Sequence, residues 1–161
     1  MGNMIKVGMA DLNVCKAPDA ITTLGLGSCI GAVLYDPNKK ICGMVHFMLP
    51  DSTAIRNNDN IAKFADTGIK ELISRLEKMG LNKSSLVAKI AGGAQMFAFN
   101  TNNNMLQVGA RNAEAARNIL RGLGIRIVAE DTGENYGRTI EFYPETSELL
   151  IKAIGKPPKK I

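Results

Sequence analysis

The chain has 161 residues, one histidine, three cysteines and no tryptophan, with 45% hydrophobic residues and a formal charge of +5. That is enough for one globular domain without disulfide support. The lone histidine excludes a metal site built from several imidazoles, and the odd cysteine count argues against a disulfide framework.

The N-terminus opens with alternation at Ile5, Val7 and Met9, resumed at Leu12 and Val14, which predicts a strand. Ala20 to Leu24 is a short β-prone run entering Gly25-Leu26-Gly27-Ser28-Cys29. Ile30–Tyr35 and Ile41–Leu49 are apolar runs separated by Asp36-Pro37-Asn38-Lys39-Lys40, the pattern of a hairpin. Residues 61–79 carry Ile61, Phe64, Ala65, Ile69, Leu72, Ile73, Leu76 and Met79 on one face at helical spacing, with Gly80 as the stop. Leu86–Ala91 predicts a strand running into Gly92-Gly93. Asn100–Asn104 reads as a surface insertion. A second helix is expected near 112–123, ended by Gly122 and Gly124. Ile125–Ala129 is a strand, and Thr139–Tyr143 with Leu149–Ile154 forms a last hairpin. About seven strands and two helices covering one face of the sheets make an α+β fold. No repeat or linker interrupts residues 1–154, which are expected to form one domain. Residues 155–161 read as a flexible basic tail.

The basic residues form no dense stripe interleaved with aromatics, so no nucleic-acid partner is expected. The start lacks a charged segment followed by an apolar run, and no stretch approaches the length of a membrane span. The expectation is a reducing cytoplasm with free thiols, no membrane insertion, no metal and no cofactor.

Three segments carry possible chemistry. Gly25 and Gly27 permit a sharp turn, which places Cys29 as a candidate nucleophile beside converging amides of Gly27, Ser28 and its own N–H. Locally the plainer reading, a Gly-rich turn before a buried small residue, has the advantage. Gly25, Gly27 and Gly31 resemble a dinucleotide motif, but the next segment is a strand rather than a helix. His46 lies amid apolar residues, where a satisfied core histidine is the ordinary case. It follows Cys29 by 17 residues, on the strand paired with the one that Cys29 opens, which puts the two within possible reach. Cys42 shares parity with His46 but lies about 13 Å along the strand, and Cys15 has no turn beside it. Both read as structural. Asp131-Thr132-Gly133 and Asp66-Thr67-Gly68 imitate an aspartic-protease triplet in a chain half the needed length. Asp66 is expected on the solvated helix face, paired with Lys70.

Several segments in series resemble the CheD family of chemoreceptor glutamine deamidases. They are Thr23–Cys29, Met44–Ser52, Lys63–Thr67, Ala88–Phe97, Val108–Asn112 and Ala129–Asn135. The resemblance implies a three-layer α/β/β sandwich, mostly antiparallel, with two main helices on one face. It implies a Cys–His dyad assisted by a threonine, here Cys29, His46 and Thr23. Thr23 would either orient His46 or bind the substrate amide. The implied reaction converts glutamine side chains of methyl-accepting chemoreceptors to glutamate through a cysteine thioester. The implied regulator is CheC, a phosphatase that occupies the receptor-facing surface. The competing reading is an adaptor that binds receptors without the chemistry.

Overall fold

The computed structural model describes residues 2–96 and 107–161. The Asn100–Asn104 segment lies outside them. Among the described residues, ten strands form two five-stranded sheets. The first sheet contains β1 (Met4–Val7), β3 (Ala20–Leu26), β8 (Arg138–Tyr143), β9 (Glu148–Lys152) and β10 (Lys159–Lys160), in the order β1-β3-β8-β9-β10. The second contains β2 (Asp11–Lys16), β4 (Ile30–Asp36), β5 (Ile41–Phe47), β6 (Val87–Gly92) and β7 (Arg126–Thr132), in the order β2-β5-β4-β6-β7. Among the described strands, β1–β3 and β6–β7 are the parallel pairs. Helices α1 (Ala65–Lys78) and α2 (Val108–Gly122) both cover the outer face of the second sheet. The layers are therefore α/β/β, as expected.

The second sheet is the middle layer, and its side-chain parity explains the apolar runs. Ile30, Ala32 and Leu34 of β4 face the helices together with Val45 and Phe47 of β5. Cys29, Val33 and Tyr35 face the first sheet together with Cys42 and Met44. A strand buried on both faces has no polar alternation to show. The β4–β5 turn is held by Asp36, whose carboxylate accepts from Asn38 N at 2.8 Å and Lys39 N at 3.1 Å. Gly43 brings α1 close: a Cβ there would lie 2.5 Å from Leu72 Cδ1.

Four expectations are corrected. The N-terminal alternation is two strands in different sheets, because the chain turns at Ala10, which has φ 57°. The first helix begins at Ala65, not Ile61. Phe64 stays extended to form a bridge with Leu49 and is fully buried there, while Ile61 is exposed. The second helix begins at Val108, and Gly122 is its last residue, with Gly124 taking φ +75° beyond it. Residues 155–161 are not a free tail. Lys159 and Lys160 pair with β9, Ile161 N and O bond to Leu149, and Lys159 Nζ lies 2.8 Å from Asp131.

Gly92 ends β6 with φ +109°, and a Cβ there would lie 2.2 Å from the Cys29 carbonyl oxygen. Gly92→Ala is expected to destabilise the protein by at least the ~1–3 kcal/mol of a strained backbone residue. Gly8→Ala, with open space around it, is expected to be near neutral. Urea midpoints of the two variants check this contrast.

Candidate active site

Thr23 and His46 come from different sheets and meet between them. Thr23 Oγ1 lies 2.7 Å from His46 Nδ1 and 2.8 Å from the Val7 carbonyl oxygen. A carbonyl can only accept, so the single hydroxyl proton goes to Val7 O. The hydroxyl oxygen must then accept from His46, which fixes the Nδ1–H tautomer. Nε2 is left with its lone pair. It is buried and has no partner among the described residues.

Cys29 lies one step before β4. Its carbonyl accepts from Gly93 N at 2.9 Å. In the β4–β5 register Gly31 opposes His46 and Ile30 opposes Phe47. Cys29 is two residues from Gly31, so it shares the His46 face and stands diagonally across from it. Such diagonal neighbours are separated by about 7–8 Å or less, within reach of longer side chains. Gly31 itself is filled by others: a Cβ there would lie 2.7 Å from Ile140 and 3.1 Å from Leu26. The approach to Cys29 follows a bulge in β3, where three residue steps from Thr23 to Leu26 match two in β8. Gly25 takes φ +71° in that bulge. Of the amides expected to converge on Cys29, that of Gly27 is engaged in the turn, donating to Gly25 O at 3.1 Å.

Burial sets the resting charge. His46 is 0% exposed and Cys29 7% exposed. Burial pushes the Cys29 thiol above its ordinary value, partly offset by the thiol's own N–H. Burial pushes His46 below its ordinary value. The free protein therefore holds a neutral thiol and a neutral imidazole rather than an ion pair.

The other two cysteines face each other across β2 and β5, with sulfurs 3.5 Å apart. The hydrogen bond between them, and then burial, pushes the Cys42 thiol far up. Asp131 is held by Arg138 at 3.0 Å and Lys159 at 2.8 Å. Burial raises its pKa, but these two partners outweigh burial and keep the carboxyl below its usual range. It serves an ion-pair cluster, and the protease reading fails. Asp66 is not paired with Lys70: it accepts from Ser52 N at 3.0 Å and Ser52 Oγ at 2.7 Å at the start of α1.

A 270 Å³ pocket lined by Lys6, Val7, Met9, Thr23 and Leu24 opens on the Thr23 side of the dyad. A 190 Å³ pocket lies beyond Met48, between Leu49, Ile55, Val108 and Arg111. Two larger pockets of 320 Å³ lie elsewhere, one beside Arg117, Arg121 and Arg126, the other under the C-terminal segment. Neither is lined by Cys29 or His46. Asn112 was not anticipated. It is fully buried in α2 and donates to Ser28 O and Met48 O at 2.9 and 2.8 Å. A signal existed: Asn112 stands in one stripe with the buried Ala116 and Leu120, where a polar residue is out of place.

The family model described as CheD chemotactic sensory transduction matches residues 48–153. A protein of Lachnoclostridium phytofermentans named probable chemoreceptor glutamine deamidase CheD is 73% identical over 100% of both chains. This chain belongs to the CheD family. A second relative, the chemoreceptor glutamine deamidase CheD of Halalkalibacterium halodurans, is 53% identical, again over 100% of both chains. These CheD relatives span Thr23, Cys29 and His46, which the family model's match does not reach. A solved Neisseria meningitidis protein of family DUF152 has a TM-score of 0.52 over 81% of this chain and 64% of its own, at 11% identity. That likeness concerns the fold alone. No described helix of this CheD chain is long and apolar enough to cross a membrane.

His46 is expected to titrate below the ordinary histidine value of about 6.5 and to be the Nδ1–H tautomer at neutral pH, readable by nitrogen-detected NMR. Because its folded pKa is depressed, the unfolded chain binds the extra proton first. Stability is therefore expected to fall as pH drops below about 6.5, and His46→Gln is expected to flatten that slope.

Proposed function

We propose that this protein removes the side-chain amide of specific glutamines on methyl-accepting chemoreceptors, with Cys29 as nucleophile and His46 as its base. The observation that carries this reading is the oriented imidazole. Thr23 occupies Nδ1 at 2.7 Å, so Nε2 is the one nitrogen free to exchange protons. The names of the relatives supply the substrate class.

The steps balance around that nitrogen. The Cys29 S–H proton moves to Nε2 as sulfur attacks the glutamine Cδ, and the carbonyl oxygen becomes an oxyanion. In this reading the amides of Ser28 and Cys29 receive it; Gly27, engaged by Gly25, is left out of this role. The C–N bond then breaks, His46 returns its proton, and ammonia leaves a thioester. Water attacks the thioester with His46 again as base, which yields glutamate and restores the thiol. Overall, one water is consumed and one ammonia released. In this reading Thr23 orients His46 and does not bind substrate, since its proton and one lone pair are both committed.

At pH 7 an unperturbed thiol is only about 3% thiolate, and Cys29 is lower still. In this reading proton transfer accompanies attack. A receptor segment lying across the site would meet exposed Leu24 and Met9 at one pocket and Ile55 at the other. Such remote contacts make receptor far better than free glutamine as substrate. The family resemblance adds CheC as a regulator competing for the same surface.

Cys29→Ala is expected to abolish ammonia release from purified receptor fragments, along with the +1 Da change seen by mass spectrometry. Replacing Cys15 and Cys42 together is expected to leave it largely intact. Retained activity in Cys29→Ala overturns the assignment. Thr23→Val is expected to lower kcat about 10- to 100-fold, as loss of an orienting partner does, while Thr23→Ser keeps most of it.

A further inference from the structure

Asn112 is a fully buried polar side chain to which the chemistry above gives no task. Its two contacts are both carbonyl oxygens, Ser28 O at 2.9 Å and Met48 O at 2.8 Å. Only the amide nitrogen can donate to them, so the orientation of the side chain is determined. Oδ1 is consequently buried with no partner among the described residues. An apolar residue there would leave both carbonyls without this donor, so the amide serves them while its own oxygen goes unpaired. The contacts themselves must be what is useful.

Both acceptors flank the dyad. Ser28 precedes Cys29, and Met48 follows Phe47, the register partner of Ile30. One side chain on α2 thus ties together the strand ends that carry nucleophile and base. Planarity gives this tie a chemical consequence. Ser28 C=O and Cys29 N–H belong to one peptide unit and point in opposite directions. A carbonyl held toward α2 sends the N–H away from α2, onto the side of the Cys29 sulfur. The next carbonyl is held as well, since Cys29 O accepts from Gly93 N at 2.9 Å. Helix α2 is seated closely enough to impose this: a Cβ on Gly109 would lie 2.3 Å from Ala94 O.

We propose that Asn112 is a positioning residue that aims the Cys29 amide at the oxyanion formed on the substrate carbonyl. The inference rests on Cys29 being the nucleophile. It separates Asn112 from Thr23, which orients the base and leaves the oxyanion alone.

The test uses Asn112→Leu in the full chain, beside Cys29→Ala. Two reactions of Cys29 are compared: deamidation of a receptor fragment, which passes through an oxyanion, and alkylation by iodoacetamide, which does not. In Asn112→Leu, kcat is expected to fall about 10- to 100-fold with KM unchanged, less than complete removal of an oxyanion donor. The alkylation rate and its pH dependence are expected to stay within about twofold of the parent. A kcat within about threefold of the parent overturns the proposal. So does a parallel loss of kcat and alkylation, which marks a merely structural role. If Asn112→Leu does not fold, Asn112→Ala, with space for water at the carbonyls, gives the same readouts. An active Cys29→Ala instead overturns the nucleophile assignment; with that variant inactive, either adverse result bears on Asn112 alone.

Discussion

The hydrogen bond between Thr23 and His46 is the contact on which the site depends. It runs from one β-sheet to the other through an otherwise apolar interface. Val33, Met44, Leu26 and Ile140 belong to that interface, and within it the tilted rings of Tyr35 and Phe142 pack with centroids 4.7 Å apart. An imidazole placed there without a partner for Nδ1 would lose roughly 1–3 kcal/mol in unmet hydrogen bonding. Thr23 meets that demand only because β1 supplies Val7 O for its proton. Three strands from two sheets are thereby held in one register. A slip of one residue in β5 would turn His46 toward the helices and bring Val45 or Phe47 into its place.

The same burial that fixes the geometry sets the chemistry. A thiolate–imidazolium pair would be a strong nucleophile at rest, but a dry interface between sheets disfavours both charges. The protein instead stores the dyad neutral, and each pKa unit of displacement corresponds to about 1.4 kcal/mol that the reacting complex must restore. An oxyanion meeting amides already in place is a natural source, because those donors do not need to reorganise when charge appears. Nucleophile activation and oxyanion stabilisation are then two halves of one requirement. In the proposed mechanism the peptide between Ser28 and Cys29 therefore matters as much as the thiol.

Much of this was legible in the residues. The β4–β5 hairpin was visible because a turn segment separates two long apolar runs. Setting Cys42 aside as the partner of the one histidine rested on its distance along the strand, and Cys29 remains the proposed nucleophile. What escaped was set by contacts between distant segments. Phe64 has helical spacing, yet its bridge to Leu49 keeps it extended. Asp66 looks solvated on a helical wheel, but Ser52 arrives from a preceding loop to occupy it. The basic C-terminus looks like a tail until Asp131 and the open edge of β9 are brought beside it. The direct facing of Cys15 and Cys42 needed the β2–β5 register, which no local pattern reveals. The neutral dyad was equally hidden, since it depends on how completely the first sheet covers the second.

Departures from ordinary packing rules cluster where function is proposed, and that clustering is itself an argument. Among the described residues, three buried side-chain atoms lack a hydrogen-bond partner: His46 Nε2, Asn112 Oδ1 and Arg138 Nη2. The first is the lone pair that the proposed chemistry would use. The second is the unpaired end of an amide whose other end grips Ser28 and Met48. The third belongs to a side chain that binds Asp131, Gly133 O and, at 3.4 Å, Gly92 O. Gly92 is the residue whose missing Cβ lets the Cys29 carbonyl approach. All three therefore lie at or one step behind the proposed nucleophile, and the positive φ values of Gly25, Gly92 and Gly93 fall in the same neighbourhood. Each such feature is a local cost, either a buried polar atom left unmet or a backbone conformation that favours glycine. Their concentration around Cys29 is the pattern expected if the local geometry is held for chemistry and the two apolar cores supply the stability that permits it.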